Sequence, residues 1–456
     1  MSGASGWESD RNASLLTDLY QLTMLQAYWR EGLADRAAFS LFFRQLPRSR
    51  NYLIACGLED ALRYLEELRF TEEALEYLRG LGFFSRPFLD WLADLRFTGD
   101  VFAMPEGTPV FPNEPLLEVE APIGEAQLVE SFLINQLHLQ TALASKATRV
   151  VAAARGRKVV DFAMRRMHGA DAALKGARAF YVAGVDATSN VLAGKLYGIP
   201  VSGTMAHSYV QAHPEELDAF RAFVRLYPDT ILLVDTYDTL EGVRKVVQLS
   251  RELGGDFAVR GIRLDSGDLA LLARQAREIL DGAGLDEVEI FASGLLDEHG
   301  IARMVGEGVP ITGFGVGTRM GVSEDAPTVD LAYKLTEYAG VARQKLSPGK
   351  ATLPGRKQVF RVESDGVAER DVLAGRDETL AGRPLLHPVM REGRRLPSAS
   401  PTLEEIRARA AEEIAKLPEK LRSLEPADPP YRVEVSDALR ARAERLRARF
   451  EGRARR

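Results

Sequence analysis

Residues 203–208 read Gly-Thr-Met-Ala-His-Ser, directly after the apolar run Tyr197-Gly198-Ile199-Pro200-Val201. A short β run that breaks at a glycine and hands over to a helix leaves small polar side chains at the carboxyl end of a strand. Parallel α/β proteins build their sites at that edge. The chain has six histidines, and His207 stands at such an edge among residues small enough for a ligand to approach. A neutral imidazole there can act as nucleophile or general base near pH 7. A histidine in a loop can also be merely packed or solvated. That alternative loses ground because five further segments end in matching polar groups. They are Asp161-Phe162-Ala163-Met164-Arg165-Arg166, Asp235-Thr236-Tyr237-Asp238, Arg263-Leu264-Asp265-Ser266-Gly267-Asp268, Ser293-Gly294 and Gly313-Phe314-Gly315-Val316-Gly317-Thr318.

The last two segments point to phosphate. Ser293-Gly294 precedes a predicted helix beginning near Leu296, and Gly315 to Thr318 offers unhindered backbone N–H groups. Amides at a helix start, with glycine permitting close approach, bind anions. In closed α/β barrels the final two loops commonly hold the phosphate. The competing reading is a pair of tight turns. Asp235, Asp238, Asp265 and Asp268 could bind ribose hydroxyls, or hold Mg²⁺ carried by a diphosphate through water. Arg165, Arg166 and Arg263 could fork onto a carboxylate or phosphate. The alternative for all of these is a network of ion pairs around a rim. No metal-ligand spacing surrounds His207, and no Gly-x-Ser-x-Gly elbow follows a strand, which disfavours a protein metal centre and a serine hydrolase.

These groups must be carried by regular elements. From 156 to about 320 the chain repeats strand, polar loop and helix six times. Strand cores are expected near Val159-Val160, Ile199–Val201, Ile231–Val234, Gly261–Leu264, Val288–Phe291 and Ile311–Phe314. Short apolar runs with room for a crossover helix read as buried parallel strands. Six units are too few for an eightfold barrel, so an irregular, incomplete TIM-like parallel barrel is expected. Before it, Ser14 to Trp29 reads as a helix with Leu16, Tyr20, Thr23, Met24 and Ala27 on one face. Ala37 to Leu46 reads as a strand, Leu58 to Leu81 as helical, Thr98 to Pro122 as antiparallel sheet, and Glu125 to Ala154 as one long helix. After 328, turns near Tyr338-Ala339-Gly340 and Ser364-Asp365-Gly366 mark hairpins, and Thr402 to Glu405 forms a capping box. The expected division is 1–150, 151–328 and 329–456. The outer two segments would form one α+β domain, with the C-terminal hairpins packing on the N-terminal segment.

At 456 residues the chain is too long for one core. Apolar residues make up 46% and charged residues 27%, the profile of a globular protein, and the net charge of −6 argues against nucleic acid as a partner. The local exception is the Arg-rich tail from Arg440 to Arg456, read as a solvated helix face. Cys56 is the one cysteine, so no disulfide or cysteine-based zinc site can form within the chain. The first fourteen residues are polar, without the apolar core of a signal peptide, and no apolar run reaches membrane-spanning length. A cytoplasmic enzyme without membrane contact is expected.

Taken together, these segments resemble the nicotinate phosphoribosyltransferase family of type II phosphoribosyltransferases. The resemblance runs from Leu16 to about Arg361. It rests on Thr17-Asp18-Leu19-Tyr20, Asp161 to Arg166, Gly184-Val185-Asp186-Ala187-Thr188-Ser189-Asn190 and Gly203 to Ser208, then on Arg263 to Asp268, Gly315 to Thr318 and Tyr333-Lys334-Leu335. It implies joining of nicotinate to phosphoribosyl diphosphate, with ATP hydrolysis coupled through a phosphorylated histidine placed at His207, and with ATP and Mg²⁺ as cofactors. It implies that Phe162 and Tyr20, the latter reaching in from a partner subunit of a homodimer, sandwich the pyridine ring. Thr204 and Arg263 would contact nicotinate, Arg165 would sit near ring and phosphate, and Gly294, Gly317 and Thr318 would hold the 5′-phosphate.

The nicotinamide-using relative carries Asp where this chain has Ser189. An Asp could accept a bond from an amide but would repel a carboxylate, so Ser189 favours the acid. Ile231 to Asp238 looks like the diphosphate-ribose motif of type I phosphoribosyltransferases, but that motif has two adjacent acids and here Thr236 follows Asp235. Some relatives carry a C-terminal cysteine cluster that binds zinc, and this chain has none there. A non-catalytic phosphosugar-binding barrel is the reading from a different class.

Overall fold

The structure, a computed structural model, describes residues 13–347 and 352–454. Most of the polar leader and the last two residues of the Arg-rich tail lie outside the described residues. Two compact units emerge, Lys146–Asp325 and a second one assembled from Met1–Ser145 and Ala326–Arg456.

The continuous unit carries a six-stranded parallel sheet: β1 (Lys158–Asp161), β2 (Ala187–Thr188), β3 (Ile231–Leu233), β4 (Gly261–Leu264), β5 (Glu289–Ala292) and β6 (Gly313–Val316). Its order is β2-β1-β6-β5-β4-β3. That is the sequence order joined end to end and cut once, between β2 and β3. Every neighbouring pair is parallel. Ile231 on one edge strand and Ala187 on the other share a buried cluster with Val160 and Phe291. A flat sheet of six strands holds its edges about 24 Å apart, so the shared cluster reflects a sheet that curls. Helices supply the crossovers, among them Ala170–Val182, Thr239–Leu253, Leu269–Asp281 and Glu298–Gly306. All strand ends therefore face one way.

One strand was misplaced by sequence. The second position in the sheet belongs to Ala187–Thr188, and Val201 of the expected strand makes only an isolated parallel bridge to Thr188. A two-residue strand that follows the polar Asp186 has no periodicity to reveal it.

In the other unit a seven-stranded sheet pairs its strands antiparallel. Arg36–Phe43 lies between Leu331–Tyr338 and Pro115–Pro122, and Asp100–Ala103 pairs with both Pro115–Pro122 and His387–Arg391. A second sheet of four strands includes Lys357–Ser364, Val367–Gly375 and Arg432–Val435. The segment read as one helix from Leu58 is two, Leu58–Glu67 and Glu72–Gly80, because Thr71 caps a new start through Ala74 N–H. The long helix likewise divides into Ile123–Leu128 and Glu130–Ala154. The helix near the start is Leu19–Glu31, and it buries Gln21, Leu22 and Leu25 rather than the face that carries Tyr20. Thr402 and Glu405 form the expected capping box. No helix among the described residues is long and apolar enough to cross a membrane.

Helix Thr239–Leu253 seats against the end of β3 through Gly242. A Cβ there would lie 2.1 Å from the Val234 carbonyl oxygen. Overpacking against backbone leaves no rotamer escape. Gly242→Ala is expected to lose on the order of 3 kcal/mol, read as a lower urea midpoint. An unchanged midpoint would show that this contact does not hold the β3 loop.

Candidate functional site

His207 opens the short helix His207–Gln211, with Ala206 at its cap. Its Nδ1 lies 3.1 Å from Thr236 Oγ1, and its Nε2 lies 4.0 Å from Asp265 Oδ2. The ring thus stands between the loops that follow β3 and β4. Its side chain is 40% exposed, so the imidazole remains open to a reactant.

Those loops are laced by carboxylates. Asp235 Oδ2 accepts the Asp265 N–H and the Ser266 hydroxyl, each at 2.8 Å. Asp265 Oδ1 in turn accepts the Ser293 hydroxyl, while Ser293 N–H donates to the Leu264 carbonyl at 2.8 Å. Asp235, Asp265 and Ser293 therefore tie the ends of β3, β4 and β5 together. Gly294 follows with φ +115°, and a Cβ on it would meet the Asp265 carbonyl oxygen at 2.6 Å. Only glycine fits this close, left-handed turn. A cavity of about 820 Å³ opens beside the lacing, bordered by Asp265, Ser266, Ser293, Asp297, Arg303 and Arg319.

Arg263 projects from β4. One of its terminal nitrogens donates to the Met205 carbonyl at 3.0 Å, which anchors the loop before His207. The guanidinium carbon lies 5.8 Å from the centre of the Phe162 ring, within cation–π reach. Burial pushes its pKa below the ordinary arginine value, Asp265 and Asp235 act against that, and Arg165 adds to it. Arg263 Nε and Asp235 Oδ1 are buried, and neither has a hydrogen-bond partner among the described residues. Phe162 is half-buried against Phe291, with ring centres 6.2 Å apart. A Cβ on Gly315 would meet the Phe162 ring at 2.4 Å, so glycine in β6 clears the space for this aromatic.

Asp161 closes β1 and is buried. It accepts Ala163 N–H and the Thr188 hydroxyl, both at 2.7 Å. Its backbone carbonyl accepts Ser189 N–H at 2.9 Å, which sets Ser189 beside the same strand end. Burial pushes the Asp161 carboxyl up to about 6, and the two hydrogen bonds only partly oppose it.

The other expected residues fall out unevenly. Thr204 is half-buried, with a long 3.4 Å contact to the Met205 carbonyl. Arg165 is exposed in the one-turn segment Met164–Arg166. Gly317 and Thr318 lie at the β6 end, half-buried. Tyr20 belongs to the other unit and is 49% exposed. Asp238 and Asp268, considered as ribose or Mg²⁺ ligands, are N-caps instead. They accept Glu241 N–H at 2.9 Å and Leu271 N–H at 3.1 Å. The predicted helix after Gly294 starts at Glu298, capped by Asp297. Sequence reasoning missed Thr236 and Ser266. Their position beside acids at strand ends was visible, but only the fold aims their hydroxyls at His207 and Asp235.

Fold and site together define a parallel α/β protein with a histidine, paired carboxylates and an arginine converging at the carboxyl ends of its strands. Residues 15–138 match the nicotinate phosphoribosyltransferase (NAPRTase) N-terminal domain, 157–342 the nicotinate phosphoribosyltransferase (NAPRTase) family, and 380–442 the nicotinate phosphoribosyltransferase C-terminal domain. The nicotinate phosphoribosyltransferase pncB2 of Mycobacterium tuberculosis is 56% identical over 434 residues, covering 95% of this chain and 94% of that protein. The nicotinate phosphoribosyltransferase of Bacillus subtilis is 42% identical over 393 residues, covering 83% and 80%. The crystal structure of human nicotinic acid phosphoribosyltransferase superposes with a TM-score of 0.84 at 30% identity, covering 94% of this chain and 99% of that one. The chain belongs to the nicotinate phosphoribosyltransferase family.

Asp161 makes a prediction about pH. Its carboxyl sits at about 6 when folded, against about 4 in an unfolded chain. Above pH 6 the fold therefore carries a buried anion at a cost on the order of 3 kcal/mol. The cost disappears as pH falls from 6 to 4, because the folded state takes up the proton first. Asp161→Asn removes the titration. Relative to this variant, the parent protein should gain melting temperature as pH falls through that window. A constant difference between the two from pH 7 to pH 4 would contradict the assignment.

Proposed function

We propose that this chain is a nicotinate phosphoribosyltransferase that works through a phosphorylated His207. The reading is carried by two buried atoms without hydrogen-bond partners among the described residues, Arg263 Nε and Asp235 Oδ1, on side chains that anchor the Met205 carbonyl before His207 and the Asp265 N–H beside it. Buried polar groups are normally satisfied, so a pair left open beside an accessible histidine suits a polar ligand. A ring nitrogen of His207 attacks the γ-phosphorus of ATP, and the bond to ADP breaks. The pyridine nitrogen of nicotinate attacks C1′ of phosphoribosyl diphosphate, and diphosphate leaves. Water then cleaves the phosphoryl–nitrogen bond, releasing phosphate and restoring the imidazole.

The residues divide this work. Thr236 holds the His207 ring through Nδ1, and Asp265 stands 4.0 Å from Nε2. Phe162 offers a flat face to the pyridine, and Arg263 and Thr204 take the nicotinate carboxylate, with Arg165 near ring and phosphate. Ser189 leaves the acid unopposed where an Asp would repel it. Ser293, Gly294, Gly317 and Thr318 line the 5′-phosphate position. Among the described residues no group of three or more ligands could cage a metal. One or two carboxylates suit Mg²⁺, which keeps its waters and rides on phosphates. Mg²⁺ would neutralise the diphosphate, with Asp235 and Asp265 as its contacts. We read the curled sheet as an incomplete TIM-like barrel over 151–328, flanked by 1–150 and 329–456, in a cytoplasmic homodimer.

Diphosphate release assayed with nicotinate and with nicotinamide tests the reading. Nicotinate is expected to be preferred by several orders of magnitude, on the scale seen when a buried polar site loses its partner. His207→Ala should lose ATP hydrolysis and the acid-labile phosphoryl label while retaining slow, ATP-independent transfer. Comparable use of nicotinamide would favour the nicotinamide-using enzyme. Binding of phosphoribosyl diphosphate without turnover would favour a phosphosugar-binding module.

The shared site has its own support. Leu16, Leu19 and Tyr20 are 44%, 46% and 49% exposed, an apolar face that its own unit leaves uncovered. In a twofold dimer this face would complete the neighbour's site. Hybrids that pair a Tyr20→Ala subunit with a His207→Ala subunit then hold one site with both lesions and one with neither. They should recover about half of wild-type activity by the statistics of two sites. No recovery after verified subunit exchange would place Tyr20 in its own subunit's service.

A further inference from the structure

The Arg-rich tail, read from sequence as a solvated helix face, becomes the helix Asp437–Ala454. Arg442, Arg445 and Arg449 are spaced three and four apart, so they share one face of it. That face borders a cavity of about 440 Å³. On the other side of the cavity stand Arg356, just before the strand Lys357–Ser364, and Arg376, just after the strand Val367–Gly375. Five guanidinium groups thus meet two acids, Glu337 and Asp377, in one lining.

The five are not equally engaged. Arg376 is locked. It pairs with Glu118 and Glu120 and lies 3.6 Å from the centre of the Phe102 ring. Arg356 reaches Glu337 at 3.4 Å and Glu120 at 3.7 Å, and Arg442 reaches Asp377 at 3.3 Å. These are loose contacts beside a normal charged hydrogen bond. Arg445 and Arg449 are exposed and pair with no carboxylate among the described residues. Two further like charges added on one helix face beside three paired arginines leave a local excess of positive charge, which a bound anion would relieve.

We propose that this cavity binds a linear polyphosphate, either free or as the tail of a nucleoside triphosphate. Planar forks suit phosphate oxygens better than ammonium groups do, and every basic residue of the helix is an arginine. From Arg442 to Arg449 the face runs about 10 Å along the axis, enough for two or three linked phosphates in a row. A bound polyanion would draw the loosely held Arg356 and Arg442 inward and leave the locked Arg376 as the fixed wall. The site lies wholly within the unit that does not carry the strand-end histidine, and it does not depend on the reaction assigned above.

Hydrogen exchange on the full-length protein at constant ionic strength tests the proposal, with sodium tripolyphosphate as one probe and a non-hydrolysable ATP analogue as the other. At a probe concentration ten times its Kd, amides of 437–449 should exchange about tenfold more slowly. Arg445→Ala combined with Arg449→Ala should abolish this protection. Both side chains are exposed, so the variant's melting temperature should match the parent's. Arg263→Ala should leave the protection intact, which separates this cavity from the strand-end site. Protection by both probes identifies the phosphate chain as the recognised group. Protection by the analogue alone assigns the site to a nucleotide. The proposal is overturned if neither probe protects this helix. It is also overturned if protection survives the double substitution or disappears in Arg263→Ala.

Discussion

Asp235 Oδ2 holds the Asp265 N–H and the Ser266 hydroxyl at 2.8 Å, and the rest of the strand-end site depends on that reach from β3 to β4. Parallel strands fix their ends only as far as the ladder extends, and β3 is three residues long. Beyond it the loops would drift without a tether. A hydrogen bond to a charged acceptor contributes about 1.5–3 kcal/mol, and two of them converge on one oxygen. Asp265, so placed, takes the Ser293 hydroxyl and carries the constraint on to β5. His207 then stands against a framework in which both neighbouring loops are fixed, with Thr236 on one ring nitrogen and Asp265 near the other.

Two carboxylates at these strand ends, Asp161 buried and Asp235 half-buried, behave differently, and the difference separates structure from chemistry. Asp161 has a partner on each oxygen. It holds β1 to the Thr188 end of β2, and its burial raises its proton affinity. Asp235 has both partners on one oxygen and leaves the other bare. Arg263 repeats the pattern. Its terminal nitrogen holds the Met205 carbonyl while Nε stays open. Groups that are half-satisfied within the protein are positioned by one half and available through the other. Such pre-organisation is what a site on a rigid scaffold requires.

The aromatic wall rests on absence as much as presence. Phe162 and Phe291 can approach each other across β6 because Gly315 has no Cβ to meet them. Likewise Gly294 lets the β5 loop turn against the Asp265 carbonyl. The glycine-rich strand end is therefore needed by the packing of the ring and of the neighbouring loop, whatever ligand it also admits.

Much of this was legible in the chain alone, because it follows from local order. Short apolar runs separated by helical stretches fix a parallel α/β arrangement, and residues just after each run must gather at one edge. His207, Asp235, Arg263, Asp265 and Ser293 could be named on that basis, and the Thr402–Glu405 box needs only four residues to form. The two-residue strand Ala187–Thr188 could not, since it is held by pairing with β1 on one side and by the bridge to Val201 on the other. Nor could sequence divide the acids. Asp235 and Asp238 look alike three positions apart, yet the backbone direction at a helix start turns Asp238 into a cap and leaves Asp235 facing β4. The Leu16–Tyr20 face has helical spacing typical of a buried stripe, and tertiary packing buried the neighbouring stripe instead. Periodicity records which residues share a face. Which face meets a core, and which hydroxyl meets an imidazole, depends on segments distant in the chain, and only the folded structure decides it.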